Sequence, residues 1–153
     1  MTTTTITRAG PADLDALAQL FDAYRQFYGQ APDIERSRKW LRERLRFGES
    51  MVLLARRGNA LVGFVQLYPM FSSVRTAKLW ILNDLFVDVS ARRNGVAHRL
   101  LQAAAEFAKA DGATGIALET ATENAAARAL YRAAGWREDA TQWYSLSFEP
   151  GVH

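Results

Sequence analysis

The sequence predicts an α/β domain: a mixed, partly parallel central sheet of about six or seven strands with helices on both faces. Three observations carry this. Residues 51–56 and 61–68 are β-type runs joined by Arg57-Gly58-Asn59, a hairpin signal. Residues 79–87, a helical pattern from Gly95 to about Asp111 and the apolar run 115–120 form strand, helix and strand, and a short return of that kind makes a right-handed unit with parallel strands. Amphipathic helical patterns lie before and after these runs. With 153 residues, 49% apolar and 23% charged, the chain has the size and composition of one globular domain over 1–153.

Residues 6–8 read as a short first strand ended by Ala9-Gly10-Pro11. The next helix has Pro11 in its first turn, with Asp13 and Asp15 at the positive end of its dipole. Leu14, Leu17, Phe21, Tyr24 and Tyr28 recur at spacings of three and four, one buried stripe that Gly29 to Pro32 interrupts. A second helix, about 33–47, is strongly basic: Arg36, Arg38, Lys39, Arg42, Arg44 and Arg46 against Glu35 and Glu43, anchored by Trp40, Leu41, Leu45 and Phe47. That pattern fits a solvated face with i,i+4 pairs, or a face that attracts an acidic group. After the hairpin, Pro69 ends the second strand and residues 71–77 read as a loop. The helix from Gly95 turns Val96, Leu100, Ala103, Ala104 and Phe107 inward, and Gly112 stops it. A short helix capped by Asn124 runs to Ala134, where Gly135 ends it. Trp136 begins another strand, and residues 143–148 alternate as the last.

Composition excludes several classes. Without cysteine there are no disulfides or thiolate metal sites, and His98 and His153 alone make no histidine cluster, so no metal is expected. No run approaches the length of a membrane span and residues 1–5 carry no apolar signal core, which predicts a cytoplasmic protein with no membrane contact. The net charge of +3, from sixteen arginines and three lysines, suits an anionic cofactor or substrate. It falls short of the dense basic clustering of a nucleic-acid binder. The final strand and the Trp143-Tyr144 pair offer a surface for a homodimer.

Chemistry concentrates in residues 82–101. A strand delivers a positively charged turn with a single glycine to a helix start. The first N–H groups of a helix have no intrahelical partner and sit at the positive end of its dipole, so they bind anions. Gly95 lets an anion approach the backbone, and Arg92, Arg93 and Arg99 add fork-shaped donors. Arg-x-x-Gly-x-Ala alone is as much a plain helix start as an anion site. Asn124 and Tyr131, seven apart, share one side of a two-turn helix near the C-terminal ends of the parallel strands, where open α/β sheets bind ligands.

On these residues the chain resembles the GNAT superfamily of N-acetyltransferases. The family's cofactor motif, Gln/Arg-x-x-Gly-x-Gly/Ala, stands here as Arg92-Arg93-Asn94-Gly95-Val96-Ala97. The preceding strand Asn83-Asp84-Leu85-Phe86-Val87, the Asn124…Tyr131 pair and Tyr131-Arg132-Ala133-Ala134-Gly135-Trp136 are also similar to the family pattern. The strand 82–87 is similar to the Leu-Glu-Asp-Phe-Phe-Val strand of the diamine (spermidine/spermine and thialysine) acetyltransferases, and residues 21–29 resemble that branch and its amino-acid- and histone-acetylating relatives.

The resemblance implies acetyl-CoA as donor and a primary amine as acceptor, with direct transfer in a ternary complex. It places the pyrophosphate on the amides from Arg93 through Val96, Ala97 and His98 to Arg99, and the pantetheine arm along the strand at Phe86 and Val87. An amide of that strand would polarise the thioester carbonyl. Asn124 would contact the arm, and Tyr131 would sit beside the sulfur as general acid. Asp84, directly or through water, is the candidate base, although the diamine enzymes carry a glutamate where this chain has Asn83. Tyr24, Tyr28 and Trp80 are candidate core or pocket-wall aromatics, with Tyr24, Tyr28, Asn83 and Asp84 as substrate contacts. The basic second helix favours an amino-acid-like acceptor over a polyamine. The alternatives are a protein lysine or N-terminal acetyltransferase, and a non-catalytic acyl-CoA-binding or nucleic-acid-binding module.

Overall fold

The computed structural model describes residues 3–149, so His153 lies outside it. The chain runs β1 (Thr4–Arg8), α1 (Leu14–Phe27), α2 (Ile34–Arg46), β2 (Met51–Arg57), β3 (Ala60–Ser72), β4 (Ala77–Val87), α3 (Val96–Ala110), β5 (Gly115–Ala117) and α4 (Ala125–Ala133). The sheet has five strands in the order β1-β2-β3-β4-β5. The first three pairings are antiparallel, and β4 with β5 is parallel.

Side-chain alternation divides the core into two layers. Leu17, Phe21 and Leu41 pack on Val52, Leu54, Phe64 and Phe86, which fixes α1 and α2 to one face. Val96, Leu100, Leu101 and Ala104 pack on Leu53, Val65, Leu67 and Leu82, which fixes α3 to the other, with Leu130 and Tyr131 of α4 joining this layer. Gly63 is where α3 comes closest to the sheet. A Cβ there would lie 3.0 Å from the Phe86 carbonyl oxygen, 3.2 Å from Leu100 and 3.4 Å from Val96. The carbonyl belongs to a paired strand and cannot yield, so Gly63→Ala is expected to destabilise by about 1–3 kcal/mol in urea unfolding, with an unchanged m-value.

Asp22 joins α1 to α2. Its carboxylate, 1% exposed, accepts from the Ser37 hydroxyl (2.7 Å), the Asp33 N–H (3.1 Å), Gln26 (3.0 Å) and Arg25 (3.0 Å). Burial pushes its pKa up, but these donors together outweigh burial and hold it below the ordinary carboxylate value. A lowered folded-state pKa adds stability above the unfolded value near ~3.9 and loses it as pH falls through the folded value. Asp22→Ala leaves four donors unpaired and is expected to cost about 2–4 kcal/mol at neutral pH, with a difference from wild type that shrinks below pH ~4. Thermal melts at pH 7 and pH 3 check both parts.

Four expectations need correction. Among the described residues the sheet has five strands rather than six or seven, because residues 136–149, including the two anticipated last strands, pair with nothing in it. Alternation marks a strand but supplies no partner. Pro69 does not end β3, which continues to Ser72 and pairs Pro69 with Trp80. Beyond Leu67 that strand has β4 alone beside it, and an edge accepts a residue with no N–H. The anticipated loop 71–77 is therefore only a tight turn closed by Thr76 N–H to Ser73 O (3.1 Å). The buried strand anticipated over 115–120 is three residues long.

Candidate active site

The site begins with an irregularity in β4. Gln66 of β3 faces Asp84, but Leu67 faces Leu82, so Asn83 is an extra residue bulged toward solvent. The bulge leaves Asp84 facing the α1 layer. There its carboxylate, 6% exposed, accepts from the Tyr24 hydroxyl (2.8 Å), Gln66 Nε2 (2.7 Å) and Asn83 Nδ2 (3.1 Å). Burial, then the charge and hydrogen bond of Asp84, push the Tyr24 hydroxyl far above its ordinary pKa, so Tyr24 is a permanent donor. Its ring is held edge-on by Tyr28 (5.2 Å), Phe64 (5.6 Å) and Phe86 (5.7 Å).

Gln66 was missed by the sequence reading. The available signal was one polar residue inside the apolar run 61–68, at a position with no exposed surface. Its Oε1 is buried without a hydrogen-bond partner beside the carboxylate it holds.

The sheet opens next to this network. β4 pairs with β5 only from Leu79 to Ile81, so residues 82–87 have β3 on one side and no strand on the other among the described residues. Pairing between the two parallel strands therefore stops six residues before the end of β4. At the far end of the gap, a turn of 3₁₀ helix (Val89–Ala91) leads to the start of α3. Arg93 (φ 67°) and Gly95 (φ 75°) are both left-handed there, and Gly95 caps α3. The N–H groups of Val96, Ala97 and His98 precede the first intrahelical bond, Arg99 N–H to Gly95 O (3.1 Å).

The three arginines of this stretch have different occupations. Arg92 donates to the Val87 carbonyl (2.9 Å) and lies over Phe27 (5.3 Å) and Phe86 (5.6 Å), so its side chain braces the end of β4. Arg99 is tied to the Thr4 carbonyl of β1. Arg93 is exposed and has no partner among the described residues, which leaves it as the uncommitted charge beside exposed Asn94, Gly95 and His98. Asn94 itself hydrogen-bonds the carbonyls of Ala91 (3.4 Å) and Arg92 (3.3 Å), closing the turn.

Across the gap, Asn124 accepts from Ala127 N–H (3.1 Å) and starts α4, as its position in the sequence predicts. Two turns on, Tyr131 packs against Trp136 (6.1 Å between rings) and the α3 layer. Burial, and secondarily Tyr28, raise its hydroxyl above the ordinary tyrosine value. Tyr131 and Asp84 therefore stand in opposite layers, on either side of the open stretch of β4, with Tyr28 influencing both tyrosines. Trp80 belongs to the core rather than to this cluster; its indole N–H donates to Asp111 (2.9 Å), at the end of α3.

A shallow pocket of about 510 Å³ opens on the Asp84 side, lined by Trp40, Arg44, Gly48, Glu49, Tyr68 and Pro69. Burial and the charge of Asp84 raise the Tyr68 hydroxyl, with Trp40 and Arg44 partly opposing. Arg44 lies over Trp40 (4.1 Å) and pairs with Glu49 (3.0 Å). Arg38 is likewise bound to Asp15 (2.8 Å) and Glu35 (2.5 Å), so the basic helix is partly neutralised.

Comparison with known proteins locates this architecture. A model of the acetyltransferase (GNAT) family matches residues 14–136. The chain is 44% identical over 134 residues to the uncharacterized N-acetyltransferase YhfO of Bacillus subtilis strain 168, covering 88% of this chain and 90% of the relative. A crystal structure of a probable acetyltransferase superposes with a TM-score of 0.90 at 42% identity, covering 95% of this chain and 98% of the other. The aminoglycoside N-acetyltransferase AAC(6')-Iy, solved in complex with CoA, shares the fold at a TM-score of 0.82 and 18% identity, over 97% of each chain.

Proposed function

Because the chain belongs to the GNAT family of acetyltransferases, we propose that it moves the acetyl group of acetyl-CoA to the primary amine of a small molecule that also carries an acidic group. The observation that supports this most is the open stretch of β4 between the start of α3, Asp84 and Tyr131. It is a slot with anion-binding amides at one end and two proton-handling side chains across its middle. The CoA complex of a relative with the same fold suits that reading.

In this reading the N–H groups of the turn from Arg93 through Val96, Ala97 and His98 receive the pyrophosphate, helped by the Arg93 side chain and His98, while the Arg99 N–H is already bonded to Gly95 O (3.1 Å). The Arg92 and Arg99 side chains hold the turn in place instead of meeting the phosphate. One backbone N–H of this strand, that of Phe86 or of Val87, faces the gap and is offered to the carbonyl oxygen as it gathers charge, and Asn124 lines the slot opposite. An amine of pKa near ~10.4 must lose a proton before it attacks. That proton passes through the Tyr24 hydroxyl to Asp84, since Tyr24 donates to the carboxylate and keeps a lone pair for the amine. The C–N bond forms and the C–S bond breaks. Tyr131 gives its proton to the departing sulfur and regains one from solvent, so no acyl-enzyme is needed.

Charge in the pocket beside Tyr68 guides the acceptor assignment. Arg44 and Glu49 line it together, a lining of both signs that suits an amine bearing a carboxylate better than a polyamine. Exposed Tyr28, whose ring meets Tyr24, and exposed Asn83, which donates to Asp84, are the further contacts proposed. The test is acetyl-CoA-dependent thiol release over a panel of amino acids, aminoalkyl acids, diamines and polyamines. Turnover on the amino acids is expected. Turnover on spermidine alone would overturn the acceptor assignment, and no release with any amine, peptides included, would overturn the transferase reading.

A further inference from the structure

Gln66 is a long polar side chain set where β3 is otherwise apolar. It has no exposed surface, and its chain neighbours Val65 and Leu67 are equally buried, as is Phe64, the preceding residue on the same face of the strand. Its Oε1 finds no hydrogen-bond partner, and a buried carbonyl left unpaired destabilises a fold. Methionine would fill similar space without that cost. What the amide supplies lies at its other end, where Nε2 donates to Asp84 Oδ2 (2.7 Å).

The three donors around Asp84 are divided unequally between its two oxygens. The Tyr24 hydroxyl (2.8 Å) and Asn83 Nδ2 (3.1 Å) both meet Oδ1, whereas Gln66 alone meets Oδ2. A carboxylate turns easily about its terminal torsion, so donors on one oxygen leave its plane free. The bond to Oδ2 fixes that plane. Register makes it possible: Gln66 stands directly opposite Asp84 in the ladder, and the bulge follows immediately. The bond also suits both protonation states. A proton that arrives through Tyr24 lands on Oδ1, and Oδ2 then becomes the carbonyl oxygen of the acid, still an acceptor for Nε2.

We propose that Gln66 is a positioning residue for the transfer step: it holds Asp84 Oδ2 so that Oδ1 stays aligned with the Tyr24 hydroxyl. This rests on the proton route proposed above. Gln66 touches neither substrate in that route and acts only through Asp84.

A double-mutant cycle tests this, with kinetics on the panel amine that releases thiol fastest. Gln66→Met fills the space without an N–H and should lower kcat by about 10-fold or more, with the acetyl-CoA KM within about twofold. Asp84→Asn should lower kcat by about 100-fold or more. Adding Gln66→Met to Asp84→Asn should then change kcat by less than about twofold, because the residue through which Gln66 acts is already lost. Gln66→Glu keeps the side-chain shape and sets a second carboxyl beside Asp84, so it should be at least as slow as Gln66→Met. Combined with Asp84→Asn it exchanges carboxyl and amide and keeps a donor and an acceptor between them. That exchange should melt close to the unmodified chain and remain as slow as Asp84→Asn, which keeps the test open if Gln66→Met does not fold. Unmodified kcat in Gln66→Met or Gln66→Glu, beside a slow Asp84→Asn, overturns the role of Gln66 and leaves the proton route standing. A double variant slower than Asp84→Asn by the full factor of Gln66→Met also overturns it, since the two residues then act independently. So does an exchange variant much faster than Asp84→Asn. Unmodified kcat in Asp84→Asn overturns the proton route itself.

Discussion

Replacing Tyr131 with phenylalanine is expected to lower kcat by about 100-fold or more, while the KM for acetyl-CoA stays within about twofold. The ring is placed by packing, against Trp136 and the α3 layer, and phenylalanine keeps that packing. Only the hydroxyl is lost, and with it the proton that the proposed mechanism gives to the departing sulfur. Because burial and Tyr28 raise that hydroxyl above the ordinary ~10, it stays protonated throughout the working range. Rate should therefore rise with pH as the amine loses its proton, with no descending limb from Tyr131 below pH ~10. Steady-state kinetics with both substrates, alongside a melting curve, separates this from misfolding. A variant with wild-type kcat removes Tyr131 as the acid.

The sequence made the framework of this site legible because its signals are local. The glycine turn at Gly95, the cap at Asn124 and the spacing to Tyr131 depend on neighbours within a few residues, and each stands where it was expected. Local too are the helical stripes from Leu14 to Tyr24 and from Val96 to Phe107. Harder to read were features that depend on distant partners. Whether Arg92 meets phosphate or braces β4 depends on Phe27, sixty-five positions earlier. Arg99 is tied to Thr4 at the other end of the chain. The Asp84 network needs Tyr24 from α1 and Gln66 from β3, and a strand pattern gives no register between them. The same reason explains the C-terminal miss. Alternation over 143–148 predicts a strand, but those residues join none, because no local pattern supplies a pairing partner.

Of the four tyrosines near the gap, three are tuned by their surroundings in one direction. Tyr24, Tyr68 and Tyr131 are all raised, the first two with Asp84 contributing and the third with Tyr28. The buried Asp84 carboxylate accepts from one hydroxyl, Tyr24, and from the Gln66 and Asn83 amides, and is placed to take a proton through Tyr24. That division of labour, with one carboxylate acceptor and separate neutral donors, fits a reaction that removes a proton from nitrogen and delivers one to sulfur.

The phosphate end admits a sharper test than a simple loss of glycine. Gly95 sits at φ 75°, and a Cβ there meets nothing within 4 Å. A side chain is therefore opposed by backbone strain of about 1–2 kcal/mol and not by a clash. Asparagine and aspartate tolerate the left-handed region better than other residues and have the same shape. Gly95→Asn thus measures strain and bulk, and Gly95→Asp adds one negative charge at the same place. If the amides of Val96 to His98 hold a pyrophosphate, that charge repels it across a partly solvated gap. At a separation of several ångströms the repulsion is about 1.5–3 kcal/mol after screening, so the acetyl-CoA KM of the aspartate variant should exceed that of the asparagine variant about 10- to 100-fold. Raising the salt concentration should narrow the difference, because Gly95 and Arg93 are exposed. The acceptor KM should hardly move. Equal acetyl-CoA KM values for the two variants would mean that no phosphate approaches the start of α3, and the donor would have to enter the β4 gap from another side.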